Sequence, residues 1–229
     1  MGAFIMPNGL INIEIPKRFR YILIAGPNGS GKTTLADLLL GNLGIECINQ
    51  DRIKAALEKE CGHSLHVNVA SCHAGRRMSE LFAQGDTFAF ETTLDARNPL
   101  SILSNPQTYH YETTIIYVVP LSVEDCIKNV HQRVENNGHG VPEDKIRERY
   151  TKSMNNFYDL SSSQLVHSWC LYLNDYKAED DKPKYDKKTP KNTHKLVASS
   201  YKGNIQLVRP ELVELLPQPL GGIFTGMCH

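Results

Sequence analysis

The 229-residue sequence has no excess of either charge, with Lys plus Arg at 25 and Asp plus Glu at 25. That balance removes the global basic field that would draw in nucleic acid or an anionic membrane surface, so neither is expected as a partner. No apolar run approaches the ~20 residues that a bilayer-spanning helix needs. The N-terminus lacks the basic region and apolar stretch of a secretory signal. Six cysteines, Cys47, Cys61, Cys72, Cys126, Cys170 and Cys228, are scattered without a CxxC pair, which points to free thiols in a reducing cytoplasm. Large aliphatic side chains are almost missing from 175–194, which is rich in Lys, Asp and Pro. This segment is expected to be a mobile insertion in a single domain, and 217–229 a frayed tail.

What remains is regular. The apolar run RYILIA at 20–25 stops at Gly26 and reads as a buried parallel strand. KTTLADLLL at 32–40 has helical character and stops near Gly41 and Gly44. Further strands are expected at 46–49, 87–91, 113–119 and 169–173, with helices at 51–60, 67–83, 122–134 and 142–158 between them. Ser122 with Asp125 three residues later reads as a capping box. A small hairpin is expected from 196–200 and 205–208, followed by a short helix at 210–216. Strands alternating with helices predict a mostly parallel five-stranded sheet covered on both faces.

The strand-to-helix junction carries the chemistry. Gly26-Pro27-Asn28-Gly29-Ser30-Gly31-Lys32-Thr33 satisfies G-x-x-x-x-G-K-[ST], with Thr34 next to it. Glycines let successive N–H groups curl around one anion, and the following helix offers its positive end to the same phosphates. Lys32 would reach the β- and γ-phosphates, and the Thr33 hydroxyl would ligate Mg²⁺. The fold class is therefore a three-layer α/β P-loop NTPase of the kinase type, with a helical lid at 138–158. No strand ending in Asp-Glu and no LSGGQ-like signature mark the chain as a motor-type ATPase.

Other polar residues fall near the same edge by topology. Glu91 ends a strand and can help hold Mg²⁺ through water or bind a substrate hydroxyl; the alternative is a solvent-facing carboxylate. Asp51 can orient an attacking hydroxyl or accept its proton, or simply cap a helix. Arg133, Arg147 and Arg149 are candidates for stabilising a moving phosphoryl group. The plainer readings are that Arg133 complements a helix end and that Arg147 pairs with Glu143. Cys61, His63, His66, Cys72 and His73 match no standard zinc spacing, so ordinary polar roles are expected there rather than metal binding. Asn174 follows the last strand and could approach an adenine, by fold position alone.

The segments AGPNGSGKTT (25–34), INQDRI (48–53), FAFETTL (88–94) and RVENNGHGVPEDKIRERYTKSMNN (133–156) together resemble the zeta-toxin-like P-loop kinases, especially a small bacterial branch labelled as predicted ABC-type ATPases. The tail from Leu196 is also similar. The resemblance implies ATP, in preference to GTP, with Mg²⁺ at Lys32 and Thr33. It implies Asp51 as base and Glu91 and Thr93 in the substrate or metal shell. Arg133 and a lid arginine, Arg147 or Arg149, would contact phosphates, with Arg76 and Arg97 on the substrate side. The acceptor would be a small-molecule hydroxyl, as in zeta toxins that phosphorylate a UDP-activated amino sugar and are held by an antitoxin protein. The chain lacks the long C-terminal extension of those toxins. The alternative from another class is a nucleotide-gated module acting on a protein partner.

Overall fold

The computed structural model describes residues 4–5, 11–12, 19–96, 103, 110–136, 138–174 and 194–225. Of the insertion expected at 175–194, residues 175–193 lie outside them, while His194 belongs to a strand; the end of the tail at 226–229 also lies outside. Two short strands, β1 (Phe4–Ile5) and β2 (Ile11–Asn12), pair antiparallel in a sheet of their own. They were not expected from the sequence.

The main sheet contains β3 (Arg20–Ala25), β4 (Glu46–Ile48), β5 (Phe88–Thr92), β6 (Glu112–Pro120), β7 (Ser168–Asn174), β8 (His194–Tyr201) and β9 (Asn204–Leu207). Their spatial order is β4-β5-β3-β6-β7-β8-β9. The first five are parallel, and β8 and β9 continue the sheet antiparallel. The expected five parallel strands are thus present, but the C-terminal hairpin is no separate unit and brings the sheet to seven. Its turn has Lys202 at φ 49° and Gly203 at φ 81°. Two successive left-handed residues match the twist of a tight hairpin.

Alternation of side chains along the strands divides the core. Tyr21, Leu23 and Ala25 face one side of the sheet, and Ile22 and Ile24 face the other. The second side is covered by helix α1 (Lys32–Leu40) through Leu35, Ala36 and Leu40. The first side carries α3 (Val67–Gln84), α4 (Val123–Glu135) and α5 (Glu143–Ser161), while α2 (Gln50–Cys61) lies against α3. On this side Tyr117 stacks on Phe157 with ring centroids 4.3 Å apart, and the Tyr117 hydroxyl donates to Ser153 Oγ at 3.0 Å. Among the described residues no helix is long and apolar enough to cross a membrane.

Two boundaries move for physical reasons. The helix expected to start at Asp51 starts one residue earlier, because Asn49 caps it by accepting from the Arg52 N–H at 3.0 Å. The tail expected to fray from 217 is packed as far as 225. Leu220–Phe224 form a 3₁₀ turn with Leu220 and Phe224 buried, and the Phe224 ring meets Trp169 edge-on at 6.4 Å.

Candidate phosphoryl-transfer site

Strand β3 is the middle of the five parallel strands; the chain leaves it for β4 on one side and later crosses from β5 to β6 on its other side, so its carboxyl end is a topological switch point. The loop 26–31 starts there and feeds α1. At Gly31, with φ 89°, a Cβ would stand 2.7 Å from Asn174 Nδ2 and 2.8 Å from His194 Nε2. Gly29 also has a left-handed φ, and a Cβ there would collide with the Cys126 carbonyl. No larger residue fits this curl.

Lys32 is buried, and its ammonium donates to the Pro27 carbonyl at 2.7 Å across the loop. Burial holds it below the usual lysine range; Glu91 and Asp51 oppose that shift and Arg133 adds to it. All three side chains therefore share the Lys32 neighbourhood. Register places Glu91 beside Ile24, one residue before the end of β3. There the Thr33 hydroxyl donates to both Glu91 oxygens, at 2.8 and 3.0 Å, and Asn49 Nδ2 donates to Oε2 at 2.6 Å. Thr33 and Glu91 form an all-oxygen pair at the loop, suited to an ion such as Mg²⁺ that keeps waters and phosphate oxygens as its other ligands.

Asp51 occupies the first turn of α2, is exposed, and among the described residues has no hydrogen-bond or ion-pair partner. The cap role belongs to Asn49, so the Asp51 carboxylate is not spent on capping. Arg133 closes α4; its Nη2 donates to the His139 carbonyl at 2.6 Å, and its buried Nε has no partner among the described residues. Ser30 Oγ in the loop is a second buried polar atom without one. Buried donors beside a Gly-rich curl are suited to holding an anion.

The two lid arginines separate. Arg149 Nη1 donates to Asn28 Oδ1 in the loop at 3.3 Å, and its Nε lies 3.0 Å from Asp95. Arg147 instead pairs with Glu124 on α4 at 2.8 Å, and the expected partner Glu143 takes His131 at 3.3 Å. Residues two apart on a helix point to different faces, so only one of the two reaches the loop. Arg76 is likewise not brought to the cluster: it stands exposed on α3, 3.3 Å from Glu80. Thr93 donates to Asp95 at 2.6 Å just beyond β5. Arg97 lies outside the described residues. Among the described residues no group of three His, Cys, Asp or Glu could hold a metal ion.

Several partners of the site went unread in the sequence. Asp95 holds both Thr93 and Arg149. Asn156 on α5 donates to the Leu94 and Ala96 carbonyls at 2.8 and 2.9 Å, fixing a turn in which Leu94 has φ 57°. Asn174, proposed for adenine, points its amide at the Ser30 carbonyl instead, at 2.9 Å. Only Asn49 carried a readable signal, as a capping residue type directly before a helix.

A Gly-rich curl at the end of the central strand, with a buried lysine, a Thr–Glu pair and a lid arginine converging on it, defines a P-loop protein of the kinase type. A family model described as an AAA domain matches residues 22–157, more than half of the chain, and the chain belongs to that family. No curated protein matches the sequence. The chain is similar in fold to AvrRxo1-ORF1 in its complex with ORF2 and ATP, with TM-score 0.63 and 17% identity over 86% of this chain and 63% of the other. It therefore spans under two thirds of that structure's length. The PezAT toxin–antitoxin system of Streptococcus pneumoniae matches with TM-score 0.58 and 17% identity over 92% of this chain and 85% of the other. The resemblance to zeta-toxin-like P-loop kinases holds at the level of the fold.

Proposed function

We propose that the protein transfers the γ-phosphoryl group of ATP to a hydroxyl of a small molecule. The observation that carries this reading is the meeting of four features at one sheet edge. They are the curl around Lys32, the Thr33–Glu91 pair, the open Asp51 carboxylate, and Arg149 on Asn28. The acceptor oxygen forms a bond to the γ-phosphorus, and the bond from phosphorus to the β,γ-bridging oxygen breaks. ADP leaves with that electron pair, and the hydroxyl proton passes to Asp51. The backbone of 26–34 and the Lys32 ammonium hold the phosphates, while Arg133 and Arg149 lend positive charge to the moving group. Thr33 and Glu91 are the residues that would hold Mg²⁺, which when bound neutralises charge on the β- and γ-oxygens.

The resemblance to zeta-type toxins makes a UDP-activated amino sugar the first acceptor to test and an antitoxin-like protein the first partner class. The cytoplasm, where ATP is available and scattered cysteines stay reduced, is the compartment proposed for it. The test mixes the protein and Mg-ATP with a panel of UDP-sugars, nucleosides and small alcohols. Acceptor-dependent ADP together with a phosphorylated product is the expected result. ADP formed without any acceptor, or none with every acceptor, would sink the kinase reading in favour of a nucleotide-gated module.

A further inference from the structure

We propose that Asn129, Asn174 and His194 are positioning residues that set the phosphate cradle before nucleotide arrives, an inference that rests on the phosphate-binding reading above. They grip three successive loop carbonyls. Asn129 Nδ2, from α4, donates to the Gly29 carbonyl at 2.8 Å. Asn174 Nδ2, from the end of β7, donates to the Ser30 carbonyl at 2.9 Å. His194 Nε2, from the start of β8, meets the Gly31 carbonyl at 3.2 Å. A carbonyl only accepts, so the imidazole carries its proton on Nε2.

The consequence follows from peptide planarity. In a trans peptide the C=O of one residue and the N–H of the next point in opposite directions. Holding the Ser30 and Gly31 carbonyls outward turns the Gly31 and Lys32 N–H groups into the cradle. Holding the Gly29 carbonyl fixes the Ser30 N–H, which closes the turn onto the Pro27 carbonyl at 3.2 Å. Donors fixed in advance need no reorganisation when an anion binds, whereas a free Gly-rich loop must lose entropy first.

The three side chains come from separate elements, and two are register partners: Asn174 pairs with His194 across β7 and β8. Asn174 is 5% exposed and His194 is 8% exposed, so neither is a casual surface contact. Gly31 shows how close they stand, since a Cβ there would meet both. The antiparallel strand β8, which lies outside the five parallel strands, thereby acquires a role in phosphate binding. Both charge states of His194 donate from Nε2, so the role depends on the donor and not on its titration.

The experiment is calorimetry of the full chain with inorganic pyrophosphate and with Mg-ADP, alongside urea unfolding without ligand. Asn174→Leu and His194→Leu remove a donor at similar volume. Each should weaken pyrophosphate and Mg-ADP by about five- to tenfold. His194→Gln keeps an N–H donor and should restore affinity to within about threefold of the parent protein. Asn129→Ala, at the half-buried α4 position, reads the same effect if a buried variant fails to fold. Leu variants that bind pyrophosphate like the parent while losing only stability would overturn the proposal, as would a His194→Gln no better than His194→Leu. A parent protein that binds neither probe would instead sink the phosphate-binding reading, and this one with it.

Discussion

Asp51 and Asn49 are two residues apart and take different tasks because of where the backbone turns. Asn49 still has extended backbone, so its side chain can bend back to the Arg52 N–H, while its amide reaches Glu91. Asp51 is already helical and projects an exposed carboxylate without a partner among the described residues. A carboxylate in that setting costs the fold little when removed, and its loss should fall on the transferred proton. Asp51→Ala is expected to bind Mg-ADP as the parent does, with the transfer rate down ~10²- to 10⁴-fold. Calorimetry and product formation measured on one preparation check both halves. Unchanged transfer would remove Asp51 from the reaction.

At the scale of the element, α5 shows how helical period selects among residues that look alike in the sequence. Arg149 faces the loop and Asp95, while Arg147 faces α4 and Glu124. Arg149→Ala is expected to lower transfer by ~10²-fold or more, given what a phosphate-contacting arginine is worth. Arg147→Ala loses only an exposed ion pair and should change transfer by less than about twofold. Steady-state rates for the two variants, with the acceptor found in the panel, decide between them; equal losses would contradict the assignment. The sequence could name both arginines but not choose, because the choice depends on the angle at which α5 docks. The five parallel strands, the glycine-rich motif at 26–33 and the start of α4 were legible because each is written in local residue types: β-branched runs, glycines and a capping box at Ser122. The grips by Asn129, Asn174 and His194 were not, since each joins residues 100 or more positions apart and Asn and His recur throughout the chain.

The whole molecule separates a functional edge from a structural one. At the functional edge, burial lowers the His194 pKa from its ordinary 6.5, and the bond to the Gly31 carbonyl only partly opposes this. Below pH 6.5 the unfolded chain takes up a proton that folded His194 resists, so its contribution to stability falls as pH drops from there and flattens below the folded value. The slope cannot exceed about 1.4 kcal/mol per pH unit for one group. Urea midpoints between pH 7 and 5.5 should therefore fall less for His194→Gln than for the parent. The paired carboxylate Glu46, lowered by Arg77, enters only below its ordinary 4.5 and does not confuse that window. At the opposite edge, Trp169 lies near the amino end of β7, while Asn174 ends the strand beside the loop. The 3₁₀ turn Leu220–Phe224 closes the core at that amino end, with Phe224 on Trp169. Removing a buried phenylalanine leaves a cavity as well as losing burial, so Phe224→Ala should cost about 3–5 kcal/mol. That is a large share of the ~5–15 kcal/mol that holds a typical domain. Because the turn is remote from 26–34, the folded fraction should bind Mg-ADP with unchanged affinity. A frayed tail predicts less than about 0.5 kcal/mol for the same substitution. Urea unfolding distinguishes the two, and a small loss would mean that the C-terminal turn does not close the core.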